Sequence, residues 1–201
     1  MSRSRCVIMI ILGIFLSGLS IVMFVHDAEY IFTGNTVNLN EILENNEELP
    51  RDKYVTFTCE FPIENYAETQ QYLNGIIPLP FKTQQYAMLG DNGMIFSAEI
   101  GKKAKIEEMD QALDIFYDDD EAVSVTLTGN LKINSSEMDS YLKECVEYLI
   151  GDDADLESYG MFLTSYVIDT TQTRSSQAFL YTFLLIIGAA VILISIKNLI
   201  R

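Results

Sequence analysis

The 201 residues carry 29 acidic side chains against 13 basic ones, a formal charge of −16. So acidic a chain lacks the basic patch whose contact with phosphates releases counterions, which sets nucleic-acid binding aside. A single histidine and three cysteines, with no Cys-x-x-Cys and no histidine pair, also leave out a zinc site and a histidine-relayed nucleophile.

Two uncharged apolar runs bracket everything else. Residues 7–25 (VIMIILGIFLSGLSIVMFV) and 178–196 (AFLYTFLLIIGAAVILISI) are 19 residues each. As helices they reach roughly 28 Å, close to the hydrocarbon thickness of a bilayer. We read them as transmembrane helices. Arg3 and Arg5 precede the first and Lys197 and Arg201 follow the second, while Asp27 and Glu29 stand just inside the loop with Arg174 as its only nearby basic residue. The positive-inside rule then places both termini in the cytoplasm and residues 27–177 outside the cell membrane. A cleaved signal peptide is the alternative for the first run. The run continues through Phe24 and Val25, past Gly18 and Ser20, the only small pair with cleavage spacing, so a retained anchor is preferred. Small residues in the spans, Gly13 with Ser17 and Gly188 with Ala189 and Ala190, suit close helix packing, within the chain or against another subunit.

Between the spans lie all 29 acidic residues and nine of the 13 basic ones, which leaves the loop 20 charges negative. Its apolar and aromatic content is that of a folded domain. Asn38 or Asn40 is placed to cap a short helix ending at Asn45 and Asn46. Residues 54–60 (YVTFTCE) alternate as a half-buried strand, which Pro62 is expected to end. Residues 63–83 read as an irregular insertion, with a helical turn or two in IENYAETQQYL and extended backbone at Pro78 and Pro80. A hairpin follows, from residues 85–89 (QYAML) through the turn Gly90-Asp91-Asn92-Gly93 to residues 94–100 (MIFSAEI).

Residues 102–117 form an amphipathic helix with Ile106, Met109, Leu113 and Phe116 on one face. After the acidic turn at 118–121, Val123, Val125, Leu127, Gly129 and Leu131 alternate with polar residues as a strong strand. Ser136 with Asp139 opens a second helix whose stripe is Tyr141, Leu142, Cys145, Val146 and Leu149, and Gly151 stops it. A last strand covers 161–169 (MFLTSYVID). Phe57 and Phe96 are assigned to the core, Tyr54 and Tyr86 to the surface.

The resulting fold class is α+β: two transmembrane helices flanking a small OB-like β-barrel with two or more packed helices. Three strands, a helix and then further strands follow the order of an OB-type barrel. On the stretches YVTFTCE, GIIPL, QYAMLGDNGMIFSAEI and VSVTLTGNLK, the whole chain resembles uncharacterised two-span membrane proteins of Gram-positive bacteria. The resemblance implies architecture and an extracytoplasmic location. These stretches define a fold and carry no catalytic signature.

No cofactor is expected. His26, at the end of the first span, reads as a polar interfacial residue. Gly101-Lys102-Lys103 lacks the earlier glycine and the Ser or Thr of a phosphate loop and reads as the solvated start of a helix. Asp153, Asp155 and Glu157 offer alternate carboxylates to calcium, without the central glycine and final glutamate of an EF-hand; a solvated acidic loop is the plainer reading. Cys59 and Cys145 lie on the oxidising side, where a disulfide persists, and both also suit free buried thiols. Three functions stay open. The first is a non-enzymatic module binding a protein or cell-envelope partner, the second an accessory subunit of a larger membrane complex, the third a carboxylate-dependent envelope enzyme.

Overall fold

The computed structural model describes residues 3–73, 77–119, 123–151 and 156–200. The elements run α1 (Arg3–Thr33), β1 (Val37–Asn38), α2 (Leu39–Glu44), β2 (Lys53–Cys59), β3 (Phe61–Leu73), β4 (Ile77–Leu89) and β5 (Met94–Ile100). There follow α3 (Lys103–Asp119), β6 (Val125–Ile133), α4 (Ser136–Ile150), a 3-10 turn (Leu156–Tyr159), β7 (Phe162–Asp169) and α5 (Arg174–Ile200). The chain divides into two compact units, residues 1–35 with 173–201, and residues 36–172.

In the first unit, α1 and α5 are both long and apolar enough to cross a membrane. At 31 and 27 residues they extend about 46 and 40 Å, beyond the roughly 30 Å of a hydrocarbon core. They pack on their small residues. A Cβ on Gly188 would lie 2.3 Å from Ser17 Oγ and 2.9 Å from the Gly13 carbonyl oxygen, so only glycine permits this approach. Gly13, Ser17 and Gly188 therefore serve contact within the chain, while Ala189 and Ala190 are exposed. Ser20 Oγ donates to the Tyr181 carbonyl at 2.6 Å, and the Tyr181 hydroxyl donates to the Asp27 carboxylate, which also meets His26 Nδ1 at 2.8 Å.

The end of α1 is closed by its partner helix. Gly34, at φ +72°, turns the chain out of the helix, and Arg174 donates to the Ile31 carbonyl at 2.7 and 3.1 Å and to that of Phe32 at 2.9 Å. A cation at a helix C-terminus satisfies its last carbonyls and the negative end of its dipole. Replacing Gly188 by Leu is expected to push the helices apart at about 1–3 kcal/mol of overpacking. Spin labels on the exposed positions Ile11 and Leu193 read this as a longer, broader distance distribution; an unchanged distribution would show that the glycine contact is dispensable.

The second unit is a seven-stranded mixed sheet, open in its hydrogen bonding, of order β1-β2-β6-β7-β5-β4-β3. β5 pairs parallel with β7 and β1 parallel with β2; the other pairs are antiparallel. The strands β2 and β3 stand five steps apart in that order, about 24 Å in a flat sheet. In the chain only Glu60 separates them. The sheet therefore curls until its two sides nearly meet.

The inside of the curl holds the larger core. Val55, Phe57 and Cys59 of β2, Met94, Phe96, Ala98 and Ile100 of β5, and Val125, Leu127 and Leu131 of β6 share it with Met109, Ala112 and Leu113 of α3. Phe57 and Phe96 meet edge to face at 5.0 Å. A smaller cluster on the opposite face joins Ala87 and Ile95 to Leu142 and Val146 of α4.

Several expectations are corrected. Residues 63–83 are no insertion, because their described parts belong to the long hairpin of β3 and β4, and Pro62 sits inside a strand instead of ending one. The prolines are tolerated where a strand has a free side: β3 pairs only with β4, and β5 reaches only Gln84–Leu89 of β4, so Pro78 and Pro80 lie beyond it. Tyr54 and Tyr86 are buried, the latter with its hydroxyl 2.6 Å from Asp110 Oδ1 of α3. The cap of α4 is Ser135, whose Oγ accepts from the Met138 amide, not Ser136. Only Leu142 and Val146 of its predicted stripe are buried, while Tyr141 and Leu149 are exposed, because one i, i+4 pair suffices to cover Ala87 and Ile95.

Candidate functional site

Strand alternation turns Glu99 away from the larger core, since Phe96, Ala98 and Ile100 occupy it. The sheet register then sets a polar row across four strands: Gln85 of β4 opposes Glu99, Glu99 opposes Asp169 of β7, and Asp169 opposes Asn130 of β6. Lys132, two residues beyond Asn130 on the same face, reaches back over the row. Its Nζ lies 2.7 Å from Asp169 Oδ2 and 3.4 Å from Glu99 Oε2.

Asp169 is almost wholly buried, so its charge demands partners. Besides Lys132 it receives the Thr171 amide at 2.9 Å and the Thr171 hydroxyl at 2.5 Å. Thr83 Oγ1 donates to Glu99 Oε1 at 3.2 Å. Burial pushes the Lys132 pKa down, but hydrogen bonds and charge from Asp169 and Glu99 outweigh it, and the lysine is held above its ordinary value.

Beside this row opens a cleft of about 610 Å³. Thr83 and Glu99 line it from the sheet, Thr171 from just after β7, and Lys102, Lys103 and Ile106 from the start of α3. Glu68 and Lys82 also line it as an ion pair at 2.6 Å. The hydrogen bond and charge of Lys82 hold the Glu68 carboxyl below its usual range. General acid catalysis asks for the opposite shift. Glu68 has Lys82 to itself, while Glu99 shares Lys132 with Asp169, and the mixed charge of the lining suits it to holding a polar ligand.

The residues singled out in sequence do not converge here. Asp153 and Asp155 lie outside the described residues, and Glu157 stands in the 3-10 turn. Among the described residues no three metal-binding side chains cluster. Cys59, buried on β2, and Cys145, on α4, are free thiols. Burial pushes Cys59 up to about 12, against a backbone hydrogen bond and with the Glu60 charge adding; burial and Glu64 push Cys145 up to about 11. Thiols so raised stay protonated near neutral pH and are poor nucleophiles. Glu99, Lys132 and Asp169 were not singled out in sequence. Each is a charge on the polar face of an alternating strand, the one signal available.

The chain belongs to the family described as Domain of unknown function (DUF8577), which matches residues 1–201. No curated protein and no solved structure matches it.

Proposed function

We propose that the protein is a two-span membrane protein with both termini in the cytoplasm, displaying an OB-like binding module outside, and that this module binds a protein or cell-envelope component without catalysis. The observation that carries the reading is a compact unit, residues 36–172, joined at both ends to long apolar helices that pack on one another. Positive-inside bias of Arg3, Arg5, Lys197 and Arg201 supports the orientation.

Strand order supports the OB-like description. Taken across Glu60, β2 and β3 act as one long first strand that pairs with β4 at one end and β6 at the other. The parallel pair β5 with β7, and the helix α3 between the third and fourth strands, complete a five-stranded Greek-key arrangement. Fold alone does not bring nucleic acid with it. With its loop 20 charges negative, the protein is expected to bind neither DNA nor RNA at physiological salt, and salt-sensitive micromolar binding to an oligonucleotide would refute this.

The test is a comparative pull-down with the intact chain and with residues 27–177 alone. Partners kept by the soluble fragment support the module. Partners that vanish with the spans support the accessory-subunit reading in its place.

A further inference from the structure

The start of α3 breaks a local electrostatic rule. Helix N-termini carry the positive end of the dipole and favour acidic residues. This one opens Lys102-Lys103-Ala104-Lys105 and has no acidic residue in its first turn, although the chain has 29 to place. Violations of local preference concentrate at functional positions.

The cleft shows what the violation is for. Three of the loop's nine basic side chains, Lys82, Lys102 and Lys103, line it. Of its two carboxylates, Glu68 is paired with Lys82 at 2.6 Å, and Glu99 shares Lys132 with Asp169, at 3.4 Å against 2.7 Å. Lys102 makes no ion pair among the described residues, and Lys103 has one loose contact, 3.5 Å to Glu107, with its side chain 89% exposed. In a strongly negative domain the cleft lining thus sets three lysines against two carboxylates, a local positive excess. Thr83 and Thr171 add hydroxyl oxygens free to accept, and Ile106 an apolar wall.

We propose that this cleft binds an oxyanion, the phosphate or carboxylate group of a sugar-sized ligand, with Lys102 and Lys103 meeting the charge and the threonines meeting hydroxyl groups. The proposal rests on the binding-module reading. Lysine side chains and the first free amides of a helix are both donors suited to such a group.

Calorimetric titration of the full-length protein in neutral detergent tests it, with glucose 6-phosphate, glucuronate and uncharged glucose as probes. The two anions, or one of them, are expected to bind, glucose not, and binding to weaken as salt rises. Preference for glucose 6-phosphate assigns a phosphate ligand and preference for glucuronate a sugar acid. The double variant Lys102→Glu, Lys103→Glu should raise Kd by at least about tenfold. Acidic residues suit a helix start, so this variant is expected to melt no lower than the wild type. Lys143→Glu, on α4 outside the cleft lining, should change Kd less than about twofold. Failure of both anions to bind, or an equal loss from Lys143→Glu, overturns the proposal. If partners are still captured by the soluble fragment after that failure, the module reading stands and only the ligand class falls.

Discussion

Replacing Leu127 by Asp is expected to abolish the cooperative unfolding transition of the central unit. Leu127 is 1% exposed and sits opposite Phe57 across the β2/β6 pair, inside the larger core. The change removes a packed aliphatic chain and buries an unpaired carboxylate, together about 5 kcal/mol or more, comparable to the whole stability of a small domain. Thr128, its exposed neighbour, turns to the other face, so Thr128→Asp should cost no more than about 0.5 kcal/mol. Far-UV circular dichroism during heating compares the two. A wild-type melting temperature for Leu127→Asp would show that the faces of β6 are reversed.

Lys132→Met is expected to cost about 2–3 kcal/mol, because it strands the buried Asp169 carboxylate. A fully buried pair broken this way loses about 3–5 kcal/mol, and the discount reflects a lysine side chain 39% exposed. The double variant Lys132→Met, Asp169→Asn should recover most of the loss, since neither charge then remains. The pH dependence has a definite sign. The folded pKa of Lys132 is raised, so its contribution is full below the unfolded value of about 10.4 and is lost as pH rises through the folded value. The gap between wild type and Lys132→Met should therefore hold from neutral pH to about pH 10 and close above it. Equal stability at pH 7 would mean that the Asp169 charge is met without the lysine.

The strands with one dry face were legible from the sequence. In β6, Val125, Leu127, Gly129 and Leu131 face the core and Thr126 and Thr128 are exposed, so composition itself alternates. The hairpin of β3 and β4 was not. Much of β3, among them Ile63, Asn65, Tyr66 and Ala67, is half-buried on both faces, leaving no period of two to read. Its strand character comes from pairing with β4 across three register shifts, which is tertiary information. Pro62 reads in sequence as the end of a strand, and Pro78 and Pro80 as extended backbone in an irregular segment, because the free sides they occupy are not visible in one dimension. The site was hidden for a related reason. Glu99, Lys132 and Asp169 are more than thirty residues apart in sequence, and only the order β6-β7-β5 lays them side by side. In sequence the lysines at 102 and 103 read as a failed phosphate loop and the solvated start of a helix. Their meaning rests on the cleft that β4, β5 and the residues after β7 build beside them.

The central claim, a module displayed outside on two membrane-spanning helices, is tested most directly by labelling intact cells with a membrane-impermeant amine reagent and locating the modified lysines by mass spectrometry. Lys53 and Lys143 are exposed on the central unit, and Lys197 lies in the last turn of α5. The first two are expected to be modified in sealed cells, and Lys197 only after permeabilisation. Labelling of Lys197 in sealed cells, with Lys53 and Lys143 protected, would contradict it.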